Sequence, residues 1–190
     1  SHAIGDLHFA PARLGDVRLD GAYAWRALIE DGAVVVGGSD APVERGDPLI
    51  EFYAAVARRD LDGFQGPNWR AAEAVDRETA LKMFTLWPAW ASFREHELGT
   101  IELGKRADFT AFDIDLMTAP AERIPHGRAM FTIVDGVVVY SADGVAPVRA
   151  EPIVAEASSQ EDAAIDAPEE QAEAPSEAAT AEAPPVSGED

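Results

Sequence analysis

The sequence contains no cysteine. That absence excludes disulfides, thiolate metal sites and cysteine nucleophiles, and it leaves the redox compartment undecided. Basic residues are scarce, with 15 Lys+Arg against 35 Asp+Glu and a formal charge of -20. Nucleic-acid binding depends on Lys and Arg neutralising phosphates, so an acidic chain is a poor candidate for it, and an anionic membrane surface is disfavoured for the same reason. No apolar run approaches the ~20 residues that a spanning helix needs. There is no Gly-x-Ser-x-Gly elbow, no P-loop and no internal repeat in the ordered part. An initiator methionine is also missing: the chain opens on Ser1-His2 in a loop-like sequence. It reads as a soluble chain entered midway, with any targeting signal lying upstream and the compartment left open.

The acidity is uneven. Residues 151–190 hold 12 acidic residues and no Lys or Arg, which leaves 23 acidic and 15 basic residues in the first 150. The last stretch is Ala, Glu, Pro and Ser without aromatics. Such a composition buries too little apolar surface to offset the entropy of ordering, so residues 149–190 are expected to form a disordered acidic tail.

Ahead of the tail the pattern changes once. Residues 1–20 have no sustained period and read as a long loop, with room for a short helix. Residues 21–29 place Tyr23, Trp25, Leu28 and Ile29 at helical spacing, ended by Asp31-Gly32. Residues 33–37 (AVVVG) form a short apolar run without alternation, the signature of a parallel strand buried on both faces. Asp47-Pro48 opens a helix, with Asp as N-cap and Pro at the first helical position. Asp76 caps another, which Pro88 should kink or end. From Gly99 onward the signals are those of an antiparallel β module. Residues 109–112 and 130–134 read as strands, and Asp135-Gly136 turns the chain into a third strand at 137–140.

Asp40 is the first residue able to carry chemistry. It follows VVVGGS, at the C-terminal end of the expected parallel strand, where barrel folds place functional groups. A carboxylate there can ligate a metal and take a proton from metal-bound water, whose pKa the metal lowers toward ~7. The plain alternative is a carboxylate that caps the following turn.

The stretch GGSDAPVERGDPLIEFYAAVARRD, residues 37–60, resembles the eighth strand and following loop of the amidohydrolase superfamily, in the branch of the N-substituted formamide deformylases. Residues 99–115, GTIELGKRADFTAFDID, resemble the segment where that family's chain leaves its barrel for a small β-sandwich. Residues 132–140, TIVDGVVVY, resemble the sandwich's closing hairpin. The order and spacing of the three motifs, over about residues 1–145, make the resemblance specific. It implies a divalent metal, zinc, in the complete enzyme, a small-molecule amide substrate, and for Asp40 the family's metal-associated catalytic aspartate.

His2 lies in SHAIGD, similar to a segment that binds metal at the family's fifth strand. Going from strand five to strand eight takes three βα units of roughly 30 residues each, and only 38 positions separate His2 from Asp40. The resemblance therefore places His2 at the end of strand seven, where the family's histidine lines the mouth and His2 would contact substrate. The alternative is a loop histidine with a local hydrogen bond. A zinc site of His2, His8 and Asp40 is conceivable from ligand count. His96 and His126 read as solvated or structural, and Lys82 and Lys105 as surface lysines. Arg58 and Arg59 read as charges complementing a helix end. The four tryptophans read as core, or as the lining of an aromatic pocket.

The resulting expectation is an α/β chain. Residues 1–98 form the C-terminal part of a (β/α)8 barrel, about strands seven and eight with their helices, and residues 99–148 supply β-sandwich strands. The family's His-x-His pair and the histidines of strands five and six have no counterpart here. The chain is therefore expected to be inactive and metal-free by itself, either part of a homo-oligomeric enzyme or dependent on a missing N-terminal half. The rival reading is a non-catalytic truncated product whose acidic tail is an interaction segment.

Overall fold

The computed structural model describes residues 1–143. The acidic tail and the last residues of the expected sandwich segment lie outside them. Helices and strands are both present, in the order expected: helices first, then an antiparallel sheet.

The helices are α1 (His2–Gly5), α2 (Ala10–Leu14), α3 (Asp16–Leu19), α4 (Trp25–Glu30), α5 (Pro48–Ala57), α6 (Arg77–Phe84) and α7 (Leu86–Ala91). Short 3-10 turns occupy Asp6–His8, Ala71–Glu73 and Ala121–His126. The expectation of a loop over residues 1–20 is corrected, because short helical turns fill it. Ala3, Ile4, Leu7 and Leu19 are buried and dock these turns on the core. The core is centred on α5, where Leu49, Ile50, Phe52, Tyr53, Ala54 and Ala55 are buried. Asp47 caps α5 by accepting from the Leu49 N–H at 2.9 Å, and Asp76 caps α6 by accepting from the Thr79 N–H at 2.7 Å. Both caps follow the sequence signals.

The break near Pro88 falls at Thr85, between α6 and α7. The ring of Pro88 would meet the carbonyl four residues back, that of Phe84, and its missing N–H removes the bond that would bridge the two helices. Gly99 follows in the left-handed region at φ 91, and a Cβ there would come within 2.8 Å of Ala89 Cβ on α7. Glycine is what lets the chain turn against that helix.

The sheet has the order β1-β2-β3, with β1 at Phe109–Phe112, β2 at Ala129–Val134 and β3 at Val137–Ser141, all antiparallel. Asp135 and Gly136 both have positive φ, 53 and 76, as a two-residue hairpin turn requires. Phe109 and Phe112 of β1 and Ile133 of β2 face Leu49, Phe52 and Phe84 of the helical part across an apolar gap. The turn Ala121–His126 packs along α5 and contributes the fully buried Ile124.

Residues 33–37 depart from expectation: they are assigned neither strand nor helix. A strand is a paired object, and no strand lies beside this run among the described residues. Its backbone is tied at the ends, by Ala33 N–H to the Leu28 carbonyl and Gly37 N–H to the Met83 carbonyl, each at 2.9 Å. Val34 and Val36 remain exposed.

Candidate active-site mouth

His2 is the first residue of α1. Ala3 and Ile4 turn into the core, and Ser1 is anchored by donating its hydroxyl to the buried Glu51 of α5 at 2.6 Å. This fixes His2 at the rim, with a third of its side chain exposed. Its partners come from the loop between residues 38 and 47. There Asp40 takes a positive φ of 57, and the Val43 N–H donates to the Asp40 carbonyl at 2.9 Å. The turn so closed brings the side chains at 40 and 44 to the same histidine.

His2 Nε2 lies 3.3 Å from Asp40 Oδ2, and His2 Nδ1 lies 3.1 Å from Glu44 Oε1. The structure thus brings together the two site residues that the sequence singled out. It adds Glu44, which the sequence reading missed. The Asp40 carboxylate is open to solvent, whereas Glu44 is mostly covered, with side-chain exposures of 70% and 26%. A pocket of about 190 Å³ adjoins His2, with Trp25, Val35, Gly38 and Phe84 in its wall. Gly37 is packed under Phe84: a Cβ there would come within 2.5 Å of the ring.

Other candidates fall away from this cluster. His8 pairs with Asp60 at 3.0 Å and stacks on Phe64, so it does not join His2 and Asp40. His96 is exposed beside Glu95. Lys82 is on the surface and pairs with Glu78, while Lys105, expected to be solvated, is largely covered and donates to Thr100. Among the described residues no three His, Asp or Glu side chains are placed to hold a metal ion. The described residues therefore do not fit a metal on their own.

Arg58 is the largest departure from the charge-complementarity reading. It sits at the C-cap of α5 with a φ of 48 and is 1% exposed. Its guanidinium donates to the carbonyls of Tyr23 at 2.7 Å and Ala22 at 2.8 Å, between the rings of Trp25 and Trp69. Burial lowers its pKa to about 10, opposed by the carboxylate of Glu73. Tyr23 in turn donates its hydroxyl to Asp6, and burial followed by that bond raises its pKa. Two of the four tryptophans thus belong to the seat of an arginine, and Trp25 also borders the pocket.

A profile of the amidohydrolase family matches residues 2–140. YtcJ of Bacillus subtilis strain 168, assigned as an amidohydrolase, is 34% identical over 135 residues, 71% of this chain and 26% of that protein. The N-substituted formamide deformylase of Arthrobacter pascens is 34% identical over 119 residues, 63% of this chain and 21% of that enzyme. A solved amidohydrolase from Thermotoga maritima MSB8 covers 63% of this chain and 26% of its own, at 20% identity and a TM-score of 0.47. The chain belongs to the amidohydrolase family. It spans about a quarter of the length of the curated relatives it matches. Among the described residues no helix is long and apolar enough to cross a membrane.

Proposed function

We propose that this chain supplies the C-terminal part of a hydrolase that cleaves the non-peptide C–N bond of a small amide. In this reading residues 1–98 complete a (β/α)8 barrel and residues 99–148 contribute to a β-sandwich. The observation that carries the proposal is the meeting of His2 and Asp40, 38 positions apart in sequence and 3.3 Å apart in space. Membership of the amidohydrolase family supports it. Asp40 is the general base: its exposed carboxylate takes a proton from the attacking water and returns it to the leaving nitrogen. His2 contacts the substrate beside it. The divalent metal that the family implies, zinc, is assigned to ligands outside this chain with Asp40 at its edge, and no step is derived through it.

The test is Asp40→Asn in an active enzyme that contains this chain. A general base contributes about 10²–10⁴-fold, so turnover should fall by that order. Circular dichroism should not change, because the Asp40 carboxylate reaches into solvent rather than into the core. Retained turnover removes Asp40 from the mechanism and overturns the proposal.

A further inference from the structure

We propose that Glu44 is a positioning residue. It holds His2 by Nδ1–H and turns the Nε2 edge toward Asp40, so that Nε2 and the Asp40 carboxylate together accept the N–H of an amide substrate. This rests on the reading of His2 and Asp40 given above.

Two carboxylates face one imidazole, and a neutral imidazole donates from only one of its nitrogens. Distance and burial agree on which. The Nδ1 contact to Glu44 is 3.1 Å, inside the usual N–H···O range, whereas the Nε2 contact to Asp40 is 3.3 Å and just beyond it. Asp40 is largely exposed and has water for its lone pairs. Glu44 is about three-quarters covered, and its side chain meets His2 Nδ1 at hydrogen-bond distance. A covered carboxylate left without a donor pays a desolvation cost that an exposed one avoids, so the ring hydrogen belongs to Glu44. Histidines that work through one nitrogen are commonly fixed at the other by a carboxylate.

The fold also keeps space for this carboxylate. Gly5, one turn along α1 from His2, would carry a Cβ only 3.2 Å from Glu44 Oε1, tighter than ordinary contact. The turn over residues 40–43 brings Glu44 to the Nδ1 edge of the ring while Asp40 stays at the rim. With Nδ1–H assigned to Glu44, Nε2 carries a lone pair 3.3 Å from the Asp40 oxygen. Two acceptors so close are complementary to one donor between them. An amide N–H, present in the substrate class proposed above, is such a donor.

The experiment has a spectroscopic and a kinetic arm. The chain has four histidines, so ring 15N resonances of histidine-labelled protein can be assigned, with His2 identified by its loss in His2→Ala. Recorded above the imidazole titration range, His2 should carry its hydrogen on Nδ1. Glu44→Ala should return it to the Nε2–H form that free imidazole prefers, while Glu44→Gln, which retains an acceptor oxygen, should preserve the Nδ1–H form. Gly5→Ala should move the same resonances without abolishing the preference. A His2 protonated on Nε2 in the unmodified chain, or a spectrum unaffected by Glu44→Ala, overturns the assignment.

In an active enzyme containing this chain, Glu44→Ala should lower kcat/KM by about 10-fold, the lower end for loss of a group that orients a working histidine. It should cost nothing further when His2 is already alanine. Losses that multiply in the double variant mean that Glu44 acts independently of His2, and this too overturns the proposal. If His2→Ala alone leaves turnover intact, the substrate role of His2 falls, and the 15N spectrum still decides whether Glu44 holds the ring.

Discussion

Helix α5 and strand β3 are similar in composition and opposite in environment. Along α5, PLIEFYAAVA, eight of ten residues are buried. Along β3, VVVYS, the residues from 137 to 140 are all exposed, between 37% and 63%. Hydrophobicity does not separate the two; cover does. Helix α5 packs against α6 and the turn carrying Ile124 and shares its core with Ala3 and Ile4 of α1, whereas β3 pairs on one side only and contributes no residue to that core among the described residues. Ile101 and Leu103, ahead of β1, are more open than β3. An exposed apolar edge strand is a ready template for pairing with another chain. The comparison teaches that α5 finds its cover within the chain, whereas the apolar side chains of β3 stay open among the described residues.

Arg58 offers the strongest way to break that comparison. If the cover of α5 comes from within the chain, removing the buried cation at its C-cap must be costly. Arg58→Ala deletes two charge-assisted bonds to carbonyls and the packing between Trp25 and Trp69. It leaves the carbonyls of Ala22 and Tyr23 with fewer donors in a covered place. A hydrogen bond to a charged group contributes roughly 1.5–3 kcal/mol, so a loss of about 3 kcal/mol is expected in urea unfolding. A loss below about 0.5 kcal/mol would show that this cluster does not hold the region together.

A smaller effect tests the local signals. Asp76→Ala should destabilise the chain by about 1 kcal/mol through loss of the α6 cap. The Asp76 carboxyl is held below its usual range chiefly by the backbone N–H of Thr79. A carboxylate depressed in the folded state contributes stability above its unfolded pKa, near 3.9, and loses it as pH falls through the lower folded value. The difference between Asp76→Ala and the unmodified chain should therefore be complete at neutral pH and shrink toward zero in strong acid. A difference independent of pH would mean that the cap acts through packing instead.

What the sequence made legible divides along the range of the interactions. Asp47-Pro48, Asp76 and Asp135-Gly136 each act within a few residues, and all three elements formed where those signals lay. The run over residues 33–37 was read as a strand from composition, yet pairing depends on a distant partner and none stands beside it among the described residues. Arg58 was read as a helix-end charge because its long-range neighbours, Ala22, Trp25 and Trp69, leave no mark at short spacing. The site was half legible. Asp40 was singled out by its place after an apolar run and then by a family resemblance, and His2 by the resemblance. Glu44 was missed, although a second loop carboxylate four residues beyond Asp40 was a signal available for the asking.

The smallest expected effect sharpens the comparison from the other side. Val139→Thr keeps the β-branched shape that suits a strand and exchanges a methyl group for a hydroxyl. In a buried position that exchange is costly, because the hydroxyl must find a partner. Val139 is 59% exposed on β3, so water can serve the hydroxyl, and the unfolding free energy should stay within about 0.5 kcal/mol of the unmodified chain. The measurement is urea unfolding at two protein concentrations, since an uncovered edge strand can pair with another copy and gain stability that way. A loss above about 1 kcal/mol at both concentrations would mean that β3 is packed within the chain after all. The contrast between α5 and β3 would then collapse. A loss present only at the higher concentration would identify a second copy of the chain as the cover of this face.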